Sequence, residues 1–368
     1  MNRFKPLDIF RGATIAFMII VNTPGDWGNT FSHLLHAKWH GFTPTDLVFP
    51  SFLFAVGNAM AFVSRKWDQQ TTHEVLLKGF KRAGLIFLVG FGLYWFPFVK
   101  QSESGWVLKS LGELRIMGVL QRIGLCYAIA LPLIYFLKPR QIVALSIILL
   151  LAYWGILVAF GDLTLEGNAA QKLDLLLLGS GHLYGGEGIP FDPEGLLSSL
   201  PAVVNIFVGF LVGLYVRRDG SDYEKLTKLL LAGVMMLFIG YIWDPLLPIN
   251  KKIWTSSYVL VTCGLDCMII GATIFLMEKR QNPLKFRVFE TFGKNPLIIY
   301  VLSSVLESLM RTIKTDGQTS IYRWVYKNVF EWMGFGTPFG SFMFALSVTT
   351  LCWLVARWLE KKKIFIKL

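Results

Sequence analysis

Apolar residues gather in long runs separated by short polar breaks, and the runs fall at roughly 8–23, 46–64, 80–99, 116–137, 141–160, 196–216, 226–245, 255–277, 295–311 and 338–358. A helix rises about 1.5 Å per residue, so roughly 20 apolar residues cross a hydrocarbon core about 30 Å thick. The pattern predicts an all-α polytopic membrane protein, a bundle of about ten transmembrane helices. Between the last two runs, Ile321 to Trp332 mixes aromatic with charged residues and is expected to lie at the membrane interface rather than cross it. No polar or Ser/Pro-rich linker divides the series, so residues 1–368 are expected to form one membrane domain.

Positive charge orients the helices, because cytoplasmic loops carry the Lys and Arg excess. Arg3 and Lys5 open the chain, Arg65, Lys66, Lys78, Lys81 and Arg82 follow the second run, and Lys138 and Arg140 follow the fourth. Arg217 and Arg218, then Lys279, Arg280, Lys285 and Arg287, continue the series to Lys361, Lys362 and Lys363. The alternate loops are not basic: residues 161–195 hold Asp162, Glu166, Asp174, Glu187, Asp192 and Glu194 against the single Lys172. Both termini are therefore expected in the cytoplasm.

Composition agrees, with 54% hydrophobic and 16% charged residues where a soluble domain has about 25% charged. The net charge of +12 then reads as a topology and lipid-headgroup signal, and no nucleic-acid partner is expected. The first run lacks a small-residue cleavage site and leads into further spans, so it is expected to be retained.

With this orientation the unusual polar residues fall at the outer helix ends. Asn22 closes the first helix, His33, His36, Lys38, Trp39 and His40 occupy the first outer loop, and Asp46 opens the second helix. Arg115 and Arg122 are expected on one face of the outer half of the fourth helix. His182, Tyr184, Asp192 and Glu194 lie in the long acidic loop, and Asn250, Lys251, Lys252, Trp254 and Tyr258 lead into the eighth helix. Histidine exchanges protons near neutral pH, so the first outer loop is the leading candidate for acid/base chemistry.

Plainer readings stand beside these. A loop histidine is merely solvated in most proteins, and Asp46 suits a helix N-terminus. Trp27, Trp39, Trp106 and Trp254 read as interfacial anchors. Asp8 and Arg11 make a structural pair on the cytoplasmic side. Arg122 resists such a reading, because an ionised residue inside a span costs at least a few kcal/mol unless it is paired or hydrated. Cys126, Cys263, Cys267 and Cys352 all lie in apolar runs and suit neither a disulfide framework nor a zinc site. Phosphate-binding glycine loops, metalloprotease helices and nucleophile elbows are absent, and no metal is expected.

Several of these stretches carry a resemblance. Leu7-Asp8-Ile9-Phe10-Arg11-Gly12, then His36-Ala37-Lys38-Trp39-His40-Gly41 running into Asp46-Leu47-Val48-Phe49-Pro50, resembles the heparan-alpha-glucosaminide N-acetyltransferase family. The likeness continues through Gly118-Val119-Leu120-Gln121-Arg122, His182-Leu183-Tyr184, Asp192-Pro193-Glu194-Gly195 and Pro248-Ile249-Asn250-Lys251-Lys252-Ile253-Trp254. It extends more broadly to membrane acyltransferases that modify cell-surface glycans. Against the lysosomal enzyme the chain is expected to represent the core, without the extra lumenal domain and leading helix.

The resemblance implies transfer of the acetyl group of cytoplasmic acetyl-CoA to the amino group of a glucosamine-type sugar beyond the membrane. The family's active-site histidine falls on His36, acting either as general base or as an acetylated intermediate. Asp46 or Asn22 would orient the ring, and Asn250 or a nearby Lys would meet the oxyanion. Arg122, with Gln121 beside it, and Arg11, Lys81 and Arg82 are the candidates for the cofactor's phosphates. His182, Tyr184, Asp192, Glu194, Asn250 and Trp254 are the candidates for the acceptor. The implied partners are an amino-sugar or glycan acceptor, the lipid bilayer and a second copy in a homodimer, and the implied location is the bacterial inner membrane with the His36 loop in the periplasm. The rivals are a secondary transporter of a small polar solute, which predicts an internal repeat and midplane polar groups, and an O-acyltransferase of envelope glycans.

Overall fold

The computed structural model describes residues 4–102, 105–218, 222–280, 286–315, 318–331 and 338–366; Arg3, Lys285 and Trp332 fall outside them. Among the described residues each of the ten apolar runs folds as a helix: α1 (Lys5–Asn22), α2 (Val48–Val63), α3 (Thr72–Trp95), α4 (Val119–Phe136), α5 (Pro139–Phe160), α7 (Ser199–Val216), α8 (Asp222–Trp243), α9 (Ser256–Arg280), α11 (Pro296–Thr312) and α13 (Pro338–Lys361). Hydropathy did not foretell α6 (Ala169–Leu178) in the long acidic loop, α10 (Arg287–Lys294), or the hairpin of β1 (Val99–Ser102) and β2 (Gly105–Leu108). The expected interfacial segment is the short α12 (Ile321–Val325) running into a π-helical turn, Tyr326–Glu331.

Among the described residues seven helical segments are long and apolar enough to cross a membrane, built on α2, α4, α5, α7, α8, α9 and α13. The other three runs carry charge at one end or are shorter. α1 holds Lys5, Asp8 and Arg11, α3 holds Glu74, Lys78, Lys81 and Arg82, and α11 has 17 residues with Glu307 and Arg311. One expectation fails here. α4 begins only at Val119, after Gly118 in an extended conformation, so Arg115 lies in the preceding loop and does not share a helix face with Arg122.

Membrane residence shows in what is exposed. On α8, Met235 is 63% and Phe238 67% exposed, and α5 presents Ile147, Ile148, Leu151 and Val158 in the same way. Water would penalise such a continuous apolar face, whereas lipid matches it. Polar groups turn inward instead: the buried Asn205 of α7 donates to Thr262 of α9 at 3.2 Å and accepts from the Trp254 indole at 3.1 Å.

Close backbone approach between α2 and α7 sets the centre of the bundle. A Cβ added at Gly209 would lie 2.0 Å from the Phe54 carbonyl oxygen, and one at Gly57 would lie 1.8 Å from that of Ile206. Gly209 and Gly213 are four apart on α7, the small-residue spacing that lets helices pack tightly without a hydrophobic driving force. This contact holds α2, which carries Phe49 in its first turn and follows directly on the 3-10 turn Pro44–Leu47 that carries Asp46.

Candidate active site

The segment joining α1 to α2 is a tightly tied loop. Gly41 has φ +111°, a region that favours glycine, and its N–H donates to the Ile249 carbonyl at 2.8 Å. The Trp39 indole donates to Leu163 O at 2.7 Å, and the Thr45 hydroxyl donates to His33 O at 3.1 Å. The loop is thus bound to the segment before α9, to the segment after α5 and to itself.

Within it, buried Asp46 organises His36. One carboxylate oxygen, Oδ2, accepts from the N–H groups of Thr43 at 2.9 Å and Ala37 at 3.2 Å. The other, Oδ1, lies 2.7 Å from His36 Nδ1. Because an ionised carboxylate only accepts, Nδ1 carries the hydrogen and Nε2 keeps its lone pair. The His36 side chain is 39% exposed and lines a cavity of about 300 Å³. A general base needs a ring fixed at one nitrogen and a lone pair on the other, and Asp46 supplies the first condition.

Lys251 faces that ring. Its Nζ lies 3.1 Å from Nε2 and 3.3 Å from Nδ1. The turn that carries it is closed by Asn250 Oδ1 accepting from Ile253 N at 3.1 Å and by Thr255 N donating to Asn250 O at 3.0 Å. Desolvation within the cleft and then Lys251 push the His36 imidazole below its ordinary range, against Asp46 and Glu194, which pull it up.

Arg115 forms the opposite wall. Its guanidinium binds both oxygens of Asp192, at 2.9 and 2.7 Å, reaches Glu194 at 2.5 Å, and stacks on the rings of Tyr94 and Tyr184. Burial opposes the arginine's charge, but Asp192, Glu194 and Tyr94 together raise it above its ordinary range, so it stays charged. Burial also pushes the Glu194 carboxyl up, and Arg115, Lys251 and Arg122 more than offset this, holding it below the usual range. At the rim Lys252 pairs with Glu187 at 2.5 Å, and Trp27 is 49% exposed.

Of the residues expected at the site, Asn22, His36, Tyr184 and Glu194 line this cavity, and Asp46 supports it from behind. Asp192 is consumed in holding Arg115. His182 turns aside to the Leu114 carbonyl at 2.7 Å, and buried Asn250 braces its turn and meets His40 at 3.3 Å. Trp254 is fully buried, so it is neither an interfacial anchor nor part of the cavity wall. Its ring lies 4.8 Å from the Arg122 guanidinium, which Gly195 O and Ser198 Oγ also bind. Arg122 and Gln121 are both buried and line neither this cavity nor the next.

A second cavity, about 120 Å³, lies among α1, α2, α3, α4 and α11. Arg11 and Arg82 both line it, the latter 5.4 Å above the Tyr127 ring. Met18, Phe52 and Val119 line both cavities. From Arg11 to Asn22, at 1.5 Å per residue, α1 runs roughly 16 Å from one chamber to the other.

The family profile described as "Heparan-alpha-glucosaminide N-acetyltransferase, catalytic" matches residues 3–240. The chain belongs to that family. It is 26% identical over 370 residues to a mouse heparan-alpha-glucosaminide N-acetyltransferase, covering 83% of this chain and 54% of the relative. The human protein of the same name is 25% identical over 365 residues, covering 83% and 53%. The chain thus spans about half the length of the curated relatives it matches. The matched region holds the His36 loop, Asp46, Arg115 and Glu194, whereas Lys251 lies past its end.

Sequence reasoning gave little weight to three features. Lys251 is 215 residues from His36, and only the closed turn before α9 brings them together. Phe49, within one of the stretches carrying the resemblance, and Phe52, within the second apolar run, were given no role but line the cavity. Asp266, buried in α9 and bonded to Ser51 at 2.5 Å, was passed over although a carboxyl inside a span always needs an explanation.

Proposed function

We propose that this chain is a membrane acetyltransferase that carries the acetyl group of acetyl-CoA through the bundle to an amino sugar on the other side. In this reading ten helices cross a bacterial inner membrane as one domain, both termini are cytoplasmic and the His36 loop faces the periplasm. The observation that carries it is the pair of abutting cavities, one lined by Arg11 and Arg82 and the other by His36. The Arg82 guanidinium suits a nucleotide's phosphates, while Arg11 adds its charge to the chamber from its pair with Asp8. The apolar wall of Met18, Phe52 and Val119 suits an extended thiol arm, and the thioester would arrive beside His36.

There His36 Nε2 takes a proton from the amine as its nitrogen attacks the carbonyl carbon. The new C–N bond forms, the carbonyl electron pair moves to oxygen, and its return breaks the C–S bond. The proton on His36 then passes to the departing sulfur. Asp46 stabilises the imidazolium between these events and holds the ring's orientation throughout. Asn22 and Tyr184 give the acceptor side hydrogen-bonding groups suited to a hydroxylated amine.

The test is transfer of radiolabel from acetyl-CoA to glucosamine by the detergent-solubilised protein and its His36→Ala variant. Label on the sugar with wild type and none with the variant supports the reading. Wild type that acetylates no amine across a panel of amino sugars and glycans overturns it, and solute uptake into proteoliposomes then becomes the assay for a carrier.

A further inference from the structure

Lys251 is the one cation of the His36 cavity that pairs with no carboxylate among the described residues. Arg115 is bound by Asp192 and Glu194, and Lys252 is bound by Glu187. Lys251 instead sets its ammonium 3.1 Å from the lone-pair nitrogen of an imidazole. The placement is not slack in a surface side chain, because the turn on either side is closed by Asn250 and Thr255 and tied to the His36 loop through Gly41 N and Ile249 O at 2.8 Å.

An ammonium so close to a ring in a partly dewatered cleft makes a second positive charge there strongly unfavourable. We propose that Lys251 is a positioning residue for the reaction above, whose charge keeps His36 neutral and therefore able to act as a base in acidic surroundings. The inference rests on the reading of His36 as that base, but the electrostatic relationship can be measured without it.

The groups facing His36 act in opposite directions. Asp46, at 2.7 Å, favours the imidazolium, and Glu194 across the cavity adds to it. Lys251 opposes both, and although burial lowers the lysine's own pKa, Glu194 and Asp46 favour its charge. The remaining charges of the cleft, Arg115, Glu187 and Lys252, are tied up in ion pairs, and His33, Lys38 and His40 share the loop. Without Lys251 the Asp46 carboxylate acts alone at close range. The ring would then take up a proton at higher pH, and a protonated ring cannot accept one from the amine.

The experiment follows the rate at which diethylpyrocarbonate modifies His36, read on its peptide by mass spectrometry across pH, because only neutral imidazole reacts. Wild type, Lys251→Met, Lys251→Gln and Lys251→Arg are compared in detergent, with thermal unfolding as the check of folding. The neutral variants are expected to raise the midpoint by about one pH unit, a tenfold change in protonation equilibrium, while Lys251→Arg keeps the wild-type midpoint. The acid limb of kcat/KM should move by the same amount. A folded neutral variant with the wild-type midpoint overturns the proposal. A shifted midpoint in a protein that acetylates nothing would sustain the electrostatic relationship and refute the enzymatic reading instead.

Discussion

Arg115 grips Asp192 with two parallel hydrogen bonds while the same guanidinium reaches Glu194, so one cation from the loop before α4 holds two carboxylates of the loop before α7. Removing it leaves buried Asp192 without its two-point partner and Glu194 with only the charges of Lys251 and Arg122. Arg115→Met is expected to cost about 3–5 kcal/mol of stability, seen as a lower unfolding temperature in detergent. Arg115→Lys should recover only part of this, since an ammonium cannot reproduce the planar fork.

Asp46→Asn tests the tautomer. The amide's NH₂ would donate to Nδ1 and leave the hydrogen on Nε2, where no base is then available. The expected result is a fall in kcat of about 10²–10⁴-fold with a much smaller change in KM, measured in steady-state acetyl transfer.

Arg82→Ala separates the chambers. With the far arginine gone, KM for acetyl-CoA is expected to rise by about tenfold or more, the worth of a charge-assisted hydrogen bond, while kcat at saturation stays near wild type. An unchanged KM would remove Arg82 from the phosphate-binding role.

Stability should follow His36 as well. Its imidazole is held below the ordinary range when folded, so the unfolded chain binds the extra proton first as pH falls. Between the unfolded value of about 6.5 and the lower folded one, stability therefore rises with pH, and below that window the contribution is lost. Unfolding temperatures measured across this window should show a slope that His36→Ala reduces, leaving the part due to His40, whose imidazole burial also lowers.

Gly209→Val places a branched side chain where even a Cβ meets the Phe54 carbonyl at 2.0 Å, between two backbones with no flexible neighbour to give way. Folded yield of this variant, judged by size-exclusion profile, should collapse, while Gly155→Val on α5, where a Cβ meets nothing within 4 Å, should express as wild type does.

Hydropathy made all ten long helices legible because lipid-facing helices such as α5 and α8 must be apolar around most of their circumference. It missed α6, α10 and the hairpin because elements of 10, 8 and 4 residues need no apolar run of spanning length. The pairing of His36 with Asp46 was readable because the two are ten residues apart in one loop. The positions of Arg122 and Trp254 were not. Trp254 looks like an interfacial anchor by type and Arg122 like a partner for the cofactor's phosphates, yet they are buried against each other, the guanidinium lying over the indole face. Arg115 was misplaced by the helical spacing of seven to Arg122, a spacing that means nothing once Gly118 interrupts the helix.

The shared wall of Met18, Phe52 and Val119 also has a meaning for the cell. In the reading proposed above, a protein with a water-accessible chamber on each side of a charged membrane is a potential short circuit, and these three side chains are what stands between the chambers. Each elementary charge that leaked across would dissipate about 2.3 kcal/mol per 100 mV of membrane potential. The wall must therefore admit one slender organic arm while refusing protons and ions, and an apolar pinch that the arm itself plugs does both. Shaving Phe52 to a smaller residue would then endanger the host through lost membrane potential before it altered the chemistry at His36.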